Sequence, residues 1–455
     1  MAASEASEAK RSLFQSDFPP EEFAQRRARL FEAIGEEAHA LVQGAPPARG
    51  FERFCQTKQF YYCCGLEVPQ AYLLLAGPER RTTLYLPRGE GDDRPEGASL
   101  GAEDAELICE RTGADAVAEP DALGEHLGEA SVVYTPHSPA EGRQGSRDEL
   151  SRADKRVAAD PWDGRPSRER HLVGLLLTRF RDLEVRDLSP ILDRLRAVKS
   201  PREVALLGRA GALAAQAVGE AMRATCPGMF EYELGAVASY VYEARGARGH
   251  GYRPIIASGP NAWHGHYFRN DRRMAEGDLV LMDGAPDLGY YTSDIARMWP
   301  VGGRYAPWQR ELYGFMVEWH KALLERIRPG VTADQVLAEA AEPMAEAVEA
   351  TAFSKPIYEA AARRTLEFKG HLSHPVGMAV HDVGGYRSEP LRPGVVLTVD
   401  PQMWVPEERL YVRVEDTVAV TESGMENLTA EAPLELDDVE AWMREESRFP
   451  RLGEA

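Results

Sequence analysis

Short apolar runs that end in an acidic residue recur along the last third of the chain. Three such runs lead into Asp283, Asp400 and Glu415, and the third also holds Arg413. Short runs that are rich in β-branched residues and bounded by Gly or Pro are typical of buried β-strands. The pattern therefore predicts three strands, each with a carboxylate at its end.

The first of these runs leads into a turn and a second acidic arm. Gly284 is followed by the turn-rich segment Ala-Pro-Asp-Leu-Gly and then by residues 290–294, which end at Asp294. Gly, Pro and Asp clustered between two strand-like segments are typical of a tight connection. The pattern predicts a β-hairpin with Asp283 on one arm and Asp294 on the other.

Alternating helical and strand patterns in the first half predict a small α/β domain. Apolar residues between Phe23 and Ile34 recur at helical spacing, and Gly35 is a typical stop. Strands are predicted at residues 38–42, 60–64, 71–76 and 82–86. Residues 138–169 are polar and rich in Gly, Pro, Arg and Asp, which predicts a long loop or insertion, with a lid as the alternative.

Long helices mixed with paired strands are predicted for the second half. A helix begins at Ser189-Pro190, and another begins at Ser200-Pro201 with Ser200 as its N-cap. Further helices are predicted at residues 232–243, 308–327 and 333–351, and a strand at 255–259. The sequence thus predicts an α/β (α+β) protein with a smaller N-terminal domain at residues 1–186 and a larger C-terminal domain at residues 187–455.

The acidic residues and one histidine of the second half suggest a metal site. The candidate ligands are Asp283, Asp294, His374, Asp400 and Glu415. Buried carboxylates are costly unless positive charge lies among them. Oxygen ligands with one imidazole suit Mn²⁺, Co²⁺, Fe²⁺ or Zn²⁺, and a set of this size suits two ions, which at about 3.5–4 Å apart can share a hydroxide nucleophile and polarise a carbonyl. For any one acid alone, a turn-forming role is the stronger interpretation.

Composition and charge exclude several classes of protein. The formal charge of −20 argues against nucleic acid and anionic membranes as partners, and the chain has no apolar stretch as long as a membrane helix. The first residues, MAASEASEAK, carry acids where a secretory signal needs basic and then apolar residues. The five cysteines form no C-x-x-C pair, and the adjacent Cys63 and Cys64 lie in an apolar run. These features predict buried thiols and a cytoplasmic protein.

Several motifs resemble the peptidase family with the pita-bread fold. The segments DGA…YTSDIAR, LSHPVGMAVHD and RVED are similar to those of the family that contains methionine aminopeptidase, prolidase, aminopeptidase P and creatinase. The resemblance extends upstream through SGPNAWHGHYFRN, CPGMFEYELGA and FCQTKQFYYCCGLEVPQAYLLL, and so covers most of the chain. It is strongest to aminopeptidase P and prolidase. It implies a pita-bread (creatinase/aminopeptidase) fold for the C-terminal domain and a creatinase-like N-terminal domain.

The resemblance also implies a role for each candidate ligand. Asp283 chelates one metal ion, His374 and Asp400 complete the second, and Asp294 and Glu415 bridge both. The expected cofactor is a pair of divalent ions, with Mn²⁺ as the family's expectation.

Four further roles follow from the same resemblance. His266 and His381 match two histidines that are not ligands, hold the substrate and stabilise the tetrahedral intermediate. Asp400 is also the candidate for moving a proton to the leaving nitrogen, and Arg413 orients the acidic ligands. His264 has no counterpart in the family, so a structural histidine is the better interpretation there.

The function that the resemblance implies is metal-dependent hydrolysis of the bond between an N-terminal residue and proline. The partner is then a peptide with proline in second position, and a homodimer or homotetramer is expected. Aminopeptidase P takes longer peptides and prolidase takes dipeptides, and the sequence leaves both open. Two alternatives are a metal-independent hydrolase of the creatinase kind and a pita-bread domain kept as a protein-binding module.

One segment departs from the family pattern. The family usually has Thr-Val-Glu-Pro-Gly where this chain has Thr-Val-Asp400-Pro-Gln402. Asp still coordinates a hard cation, but it is one methylene shorter and loses roughly 1.5 Å of reach. Either the backbone moves inward, or activity, metal choice or substrate preference has changed.

Overall fold

The structure is a computed structural model that describes residues 9–89, 98–387 and 389–449. The chain divides into two compact units, Met1–Arg196 and Ala197–Ala455, whereas the sequence-based boundary lies between residues 186 and 187. The prediction that the chain lacks a secretory signal rests on its acidic first residues. Most of these residues, 1–8, lie outside the described ranges. Within the described ranges, no helix has the length and apolarity needed to cross a membrane.

The first unit is built on a six-stranded mixed sheet with the strand order β4-β3-β2-β1-β5-β6. Its strands are β1 (His39–Gln43), β2 (Tyr72–Ala76), β3 (Arg81–Tyr85), β4 (Ala116–Ala118), β5 (Val132–Thr135) and β6 (Glu184–Asp187). Its helices are α1 (Pro20–Ile34), α2 (Lys58–Cys64), α3 (Ala105–Thr112), α4 (Leu123–Leu127), α5 (Arg147–Ala159), α6 (Arg168–Arg179) and α7 (Ser189–Ala197). The predicted helix that stops at Gly35 and three of the four predicted strands are confirmed.

Two predictions in the first unit are wrong. Residues 60–64, predicted as a strand, belong to helix α2, which ends at Gly65 in the left-handed region with φ of 65°. Every residue of α2 is buried, so no polar face reveals a helical period. Residues 138–169, predicted as a loop, contain helix α5. All of its side chains are half-buried or exposed, so the sequence has no apolar stripe that would indicate a helix.

The second unit combines long helices with short antiparallel strands. Its helices are α8 (Pro201–Ala224), α9 (Glu231–Ala244), α10 (Pro307–Leu324), α11 (Ala333–Ala350), α12 (Pro356–Leu366) and α13 (Leu436–Trp442). Its strands are β7 (Ile255–Ser258), β8 (Leu279–Asp283), β9 (Ala296–Pro300), β10 (Val396–Val399), β11 (Gln402–Val405), β12 (Leu410–Arg413), β13 (Asp416–Val420) and β14 (Met425–Asn427). They form the sheets β7-β8-β9, β10-β13-β14 and β11-β12.

Helix α8 starts as its sequence predicts. The Ser200 side chain accepts a hydrogen bond from the Glu203 backbone N–H at 3.3 Å, and the Glu203 carboxylate accepts one from the Ser200 N–H at 2.9 Å. This reciprocal capping box satisfies two backbone donors at the helix start and contributes about 1 kcal/mol. The helix then buries Leu206, Leu207 and Leu213 and forms one wall of the core of the second unit.

Candidate metal centre

The register of neighbouring strands places three of the predicted ligands at one edge. Asp283 ends β8 and lies opposite Ala296 of β9, and Ala296 in turn bridges to Glu415. Asp294 comes two residues before Ala296, and the Thr417 hydroxyl fixes its backbone through bonds of 2.9 and 2.8 Å. Strands β8 and β9 do form a hairpin, but its second arm is Ala296–Pro300, so the prediction that residues 290–294 form this arm and carry Asp294 on it is wrong. Likewise β12 ends at Arg413, so Glu415 lies beyond the strand rather than in it.

Two further ligands are positioned by strand β10. The Thr398 backbone N–H donates to the His374 carbonyl at 2.9 Å, and the Asp400 N–H donates to the Leu372 carbonyl at 3.1 Å. The segment that carries His374 therefore runs beside the strand that leads to Asp400. These pairings bring His374 and Asp400 near each other although they are 26 positions apart in sequence.

Three of the candidate ligands form a compact group. His374 Nε2 lies 3.3 Å from Asp294 Oδ2 and 3.9 Å from Glu415 Oε1, and one ligand atom from each of the three lies within 4.8 Å of the others. Among the described residues, Glu415 Oε1 is buried and has no hydrogen-bond partner. A buried carboxylate oxygen without a donor is costly, and a cation between these three side chains would remove that cost. The donor set therefore fits a divalent metal ion.

Arg413 lies in the middle of the carboxylates. Its Nε is 2.9 Å from Asp400 Oδ1, its Nη1 is 2.9 Å from Asp283 Oδ2, and its Nη2 contacts Glu415. All four side chains are buried. With Asp294 the cluster holds four carboxylates against one guanidinium and one imidazole, so negative charge is in excess.

The pKa values reflect this excess of negative charge. Burial, followed by repulsion from Asp294, raises the pKa of Asp283 to about 7, and burial raises the pKa of Glu415 well above its usual range. Burial alone would lower the pKa of His374, but the hydrogen bond to Asp294, the charge of Asp294, and smaller contributions from Pro375 and Asp400 together outweigh burial and raise this pKa. A bound cation would oppose the shifts of Asp283 and Glu415 by favouring their ionised forms, and it would compete with the proton for the ring nitrogen of His374.

Tyr252 is a member of the site that the sequence did not reveal. Its hydroxyl lies 2.8 Å from Asp283 Oδ1 and 2.5 Å from Asp294 Oδ1. Burial and the two carboxylates raise the pKa of Tyr252 well above its usual range, so it stays a donor. It follows Gly251 in an irregular segment before β7, and no periodic pattern or motif marked it.

The two predicted histidines outside the ligand set lie beside it in a row. The His381 ring centroid is 4.2 Å from that of His374, and the His266 centroid is 6.4 Å from that of His381. His381 is half-buried, whereas His266 is exposed. The row therefore leads from the carboxylates toward solvent. His264 is also exposed, and no contact assigns it a role.

Asp400 differs from the other ligands in its surroundings. Gln402 Nε2 donates to Asp400 Oδ2 at 2.5 Å; like Asp283, Asp400 lies outside the compact group of Asp294, His374 and Glu415. A cavity of about 370 Å³ opens beside Asp400 and Gln402, with Trp319, Phe368 and Trp404 in its lining.

Comparison with known proteins supports the resemblance seen in the motifs. Residues 205–422 match metallopeptidase family M24, and residues 23–134 match the N-terminal domain of aminopeptidase P. The chain is 31% identical to the Xaa-Pro aminopeptidase of Escherichia coli (strain K12), over 94% of this chain and 98% of that one. It is 29% identical to Xaa-Pro aminopeptidase 3 of Mus musculus, over 92% and 85% of the two chains.

The fold agrees with these sequence relationships. The solved structure of aminopeptidase P from E. coli with the inhibitor Pro-Leu matches with a TM-score of 0.75 and 30% identity, over 94% of this chain and 99% of that one. The predicted family and the predicted order of the two domains are confirmed. The chain belongs to metallopeptidase family M24, with a pita-bread catalytic domain that follows an aminopeptidase P N-terminal domain.

Proposed function

We propose that this protein is an Xaa-Pro aminopeptidase, a metal-dependent enzyme that hydrolyses the bond between an N-terminal residue and proline. The observation that carries this proposal is the buried oxygen of Glu415, which faces His374 and Asp294 without a hydrogen-bond donor among the described residues. Relatives named Xaa-Pro aminopeptidase that match nearly the whole chain support the substrate class.

We assign five residues to a pair of divalent ions, with Mn²⁺ as the expected metal. The ligands are Asp283, Asp294, His374, Asp400 and Glu415. When bound, such ions supply an activated water and polarise the substrate carbonyl. Arg413 keeps three of the carboxylates in place through its contacts with Asp283, Asp400 and Glu415, and Tyr252 holds the fourth, Asp294.

We assign His381 and His266 to the substrate. Their position beside His374, toward solvent, suits imidazoles that donate hydrogen bonds to the peptide oxygen on which negative charge develops. Asp400, at the wall of the cavity, is the carboxylate that we propose takes the proton from the attacking water and passes it to the proline nitrogen.

We also propose that longer peptides are preferred over dipeptides, because the full-length relatives are named aminopeptidases. We further propose that the protein is cytoplasmic and forms a homodimer or homotetramer. Light scattering after size exclusion would measure the oligomer, and a purely monomeric protein would refute that part.

The test is hydrolysis of an Xaa-Pro-Xaa tripeptide by Mn²⁺-loaded protein, beside an Xaa-Pro dipeptide and an Xaa-Ala-Xaa tripeptide. We expect turnover of the first, weaker turnover of the second and none of the third. EDTA should abolish activity and added Mn²⁺ should restore it. Activity that survives EDTA would favour a creatinase-like hydrolase, and a protein that binds no metal and cleaves nothing would favour a binding module.

A further inference from the structure

Gln402 is the exposed first residue of β11, and it reaches into the buried cluster. It lies opposite Arg413 in the register of β11 and β12, so the two side chains are on the same face of this strand pair. The Gln402 amide donates to Asp400 Oδ2 at 2.5 Å, and Arg413 Nε donates to Asp400 Oδ1 at 2.9 Å. Each oxygen of Asp400 thus has one donor, and the two donors fix the plane of the carboxylate.

These two hydrogen bonds leave Asp400 able to bind a cation. A carboxylate oxygen has two lone pairs, so one acceptor position per oxygen stays available. Hydrogen bonds to a charged carboxylate are among the stronger ones in proteins, which explains why an exposed glutamine keeps its amide in this position. Side chains that orient a ligand in this way tune metal affinity.

We propose that Gln402 is the positioning residue of Asp400, and that the two form a matched pair in which the long amide compensates for the short carboxylate. This inference rests on the proposed metal-dependent function. Asp400 alone can rotate about its side-chain bonds, whereas Asp400 between Gln402 and Arg413 presents the same oxygens to the metal ions at all times.

The geometry makes the pair interdependent. A glutamate at position 400 would carry its carboxylate roughly 1.5 Å farther, and the Gln402 nitrogen is only 2.5 Å from the present carboxylate. The longer acid would therefore collide with the amide, and it fits only if residue 402 is small. A change at either position alone should harm the site, and the two changes together should not.

The experiment measures Mn²⁺ binding by isothermal titration and by metal analysis after gel filtration, in the full-length chain. Gln402→Leu removes the hydrogen-bond donor but keeps the size of the side chain. We expect about a 10–100-fold loss of affinity for the more weakly bound of the two Mn²⁺ ions. Gln402→Asn, which keeps the amide but withdraws it, should fall between this variant and the original protein. Gln216→Leu, the same change on helix α8, is the matched control and should bind Mn²⁺ normally.

A double-mutant cycle then tests the pairing. Asp400→Glu and Gln402→Gly should each lower the affinity for the more weakly bound Mn²⁺ ion about 10–100-fold. The double variant should recover to within about threefold of the original affinity. The melting temperatures of metal-free Gln402→Leu and Gln402→Asn should stay close to that of the original protein, because Gln402 is exposed.

Two results would overturn the inference in different ways. Equal Mn²⁺ affinity in Gln402→Leu and the original protein, or losses that simply add in the double variant, would remove the pairing while leaving the peptidase intact. An original protein that binds no Mn²⁺ and cleaves no Xaa-Pro peptide would remove the proposed function together with the inference.

Discussion

Glu415 and Asp416 are consecutive buried carboxylates that belong to two different charge clusters. Glu415 belongs to the acidic cluster, defined by Asp283, Asp294, His374, Asp400, Arg413 and Glu415. Asp416 belongs to the balanced cluster, defined by Arg297, His320, Asp416 and Thr429. In the balanced cluster, Arg297 Nη2 lies 2.8 Å, His320 Nε2 2.7 Å and Thr429 Oγ1 2.5 Å from the Asp416 carboxylate.

The pKa values of the two neighbouring carboxylates, Glu415 and Asp416, are shifted in opposite directions. Burial raises the pKa of Glu415 because too little positive charge surrounds it. Burial alone would also raise the pKa of Asp416, but Arg297 and the hydrogen bond from His320 outweigh it, and the pKa of Asp416 lies below its usual range. A buried cluster with its own counter-charge stabilises the fold, whereas a cluster with excess negative charge is prepared for a cation from outside. The balance of charge, rather than the number of acids, separates the two.

The largest effect is expected from Glu415→Gln in the acidic cluster, where the carboxylate has a raised pKa. The change keeps the shape of the side chain but removes one negative ligand, so several kcal/mol of transition-state stabilisation are lost. We expect kcat/KM for an Xaa-Pro-Xaa tripeptide to fall at least about a thousandfold. The free energy of unfolding of the metal-free protein should stay the same or rise, because repulsion among the carboxylates decreases. Peptide hydrolysis and urea denaturation without metal measure the two quantities.

Asp416→Asn is the matched control, since it makes the same chemical change one residue from Glu415. It should lower the free energy of unfolding while Mn²⁺ binding persists. If Glu415→Gln instead destabilised the metal-free fold as much as Asp416→Asn, the two clusters would not differ in the way that their charges indicate.

A smaller effect is expected from Arg297→Met in the balanced cluster. The change leaves the buried Asp416 without its guanidinium partner, and breaking one side of a buried ion pair typically costs about 3 kcal/mol or more. Because Arg297 also donates to the Glu415 and Pro433 carbonyls, no metal ion can replace it. We expect the free energy of unfolding to fall by about 3 kcal/mol with and without Mn²⁺. Recovery of stability on addition of Mn²⁺ would contradict this expectation.

The strand-end carboxylates could be predicted because their signal is local. Asp283 and Asp400 end short apolar runs that are bounded by turn residues, which is the local pattern typical of a buried strand. In the structure, Glu415 directly precedes β13 and Asp416 begins it, and successive side chains of an extended chain point to opposite faces, so the two acids belong to different clusters. The local pattern does not indicate which other side chains will contact each carboxylate.

The partners could not be predicted because they come from distant positions. His320 lies 96 residues before Asp416 and projects from the buried face of α10, where a histidine has no periodic mark. Tyr252 lies in an irregular segment 42 residues before Asp294. The contact of Gln402 with Asp400 depends on how β10 and β11 are joined, and the sequence marks these two positions only as a departure from a family pattern. Helix α2 was mistaken for a strand for a related reason, because complete burial removes the periodicity that identifies a helix.

The smallest effect concerns the pH dependence of the balanced cluster. The pKa of Asp416 is lower in the folded protein than its usual value, so its stabilising contribution is complete above the unfolded pKa of about 4 and is lost as the pH falls below it. Asp416→Asn lacks this contribution at every pH. The difference in free energy of unfolding between the original protein and this variant should therefore be constant from pH 7 to pH 5. It should shrink by about 1 kcal/mol by pH 3. Urea denaturation of both metal-free proteins across this range measures it, and a difference that grows on acidification would mean that Asp416 is not ionised in the fold.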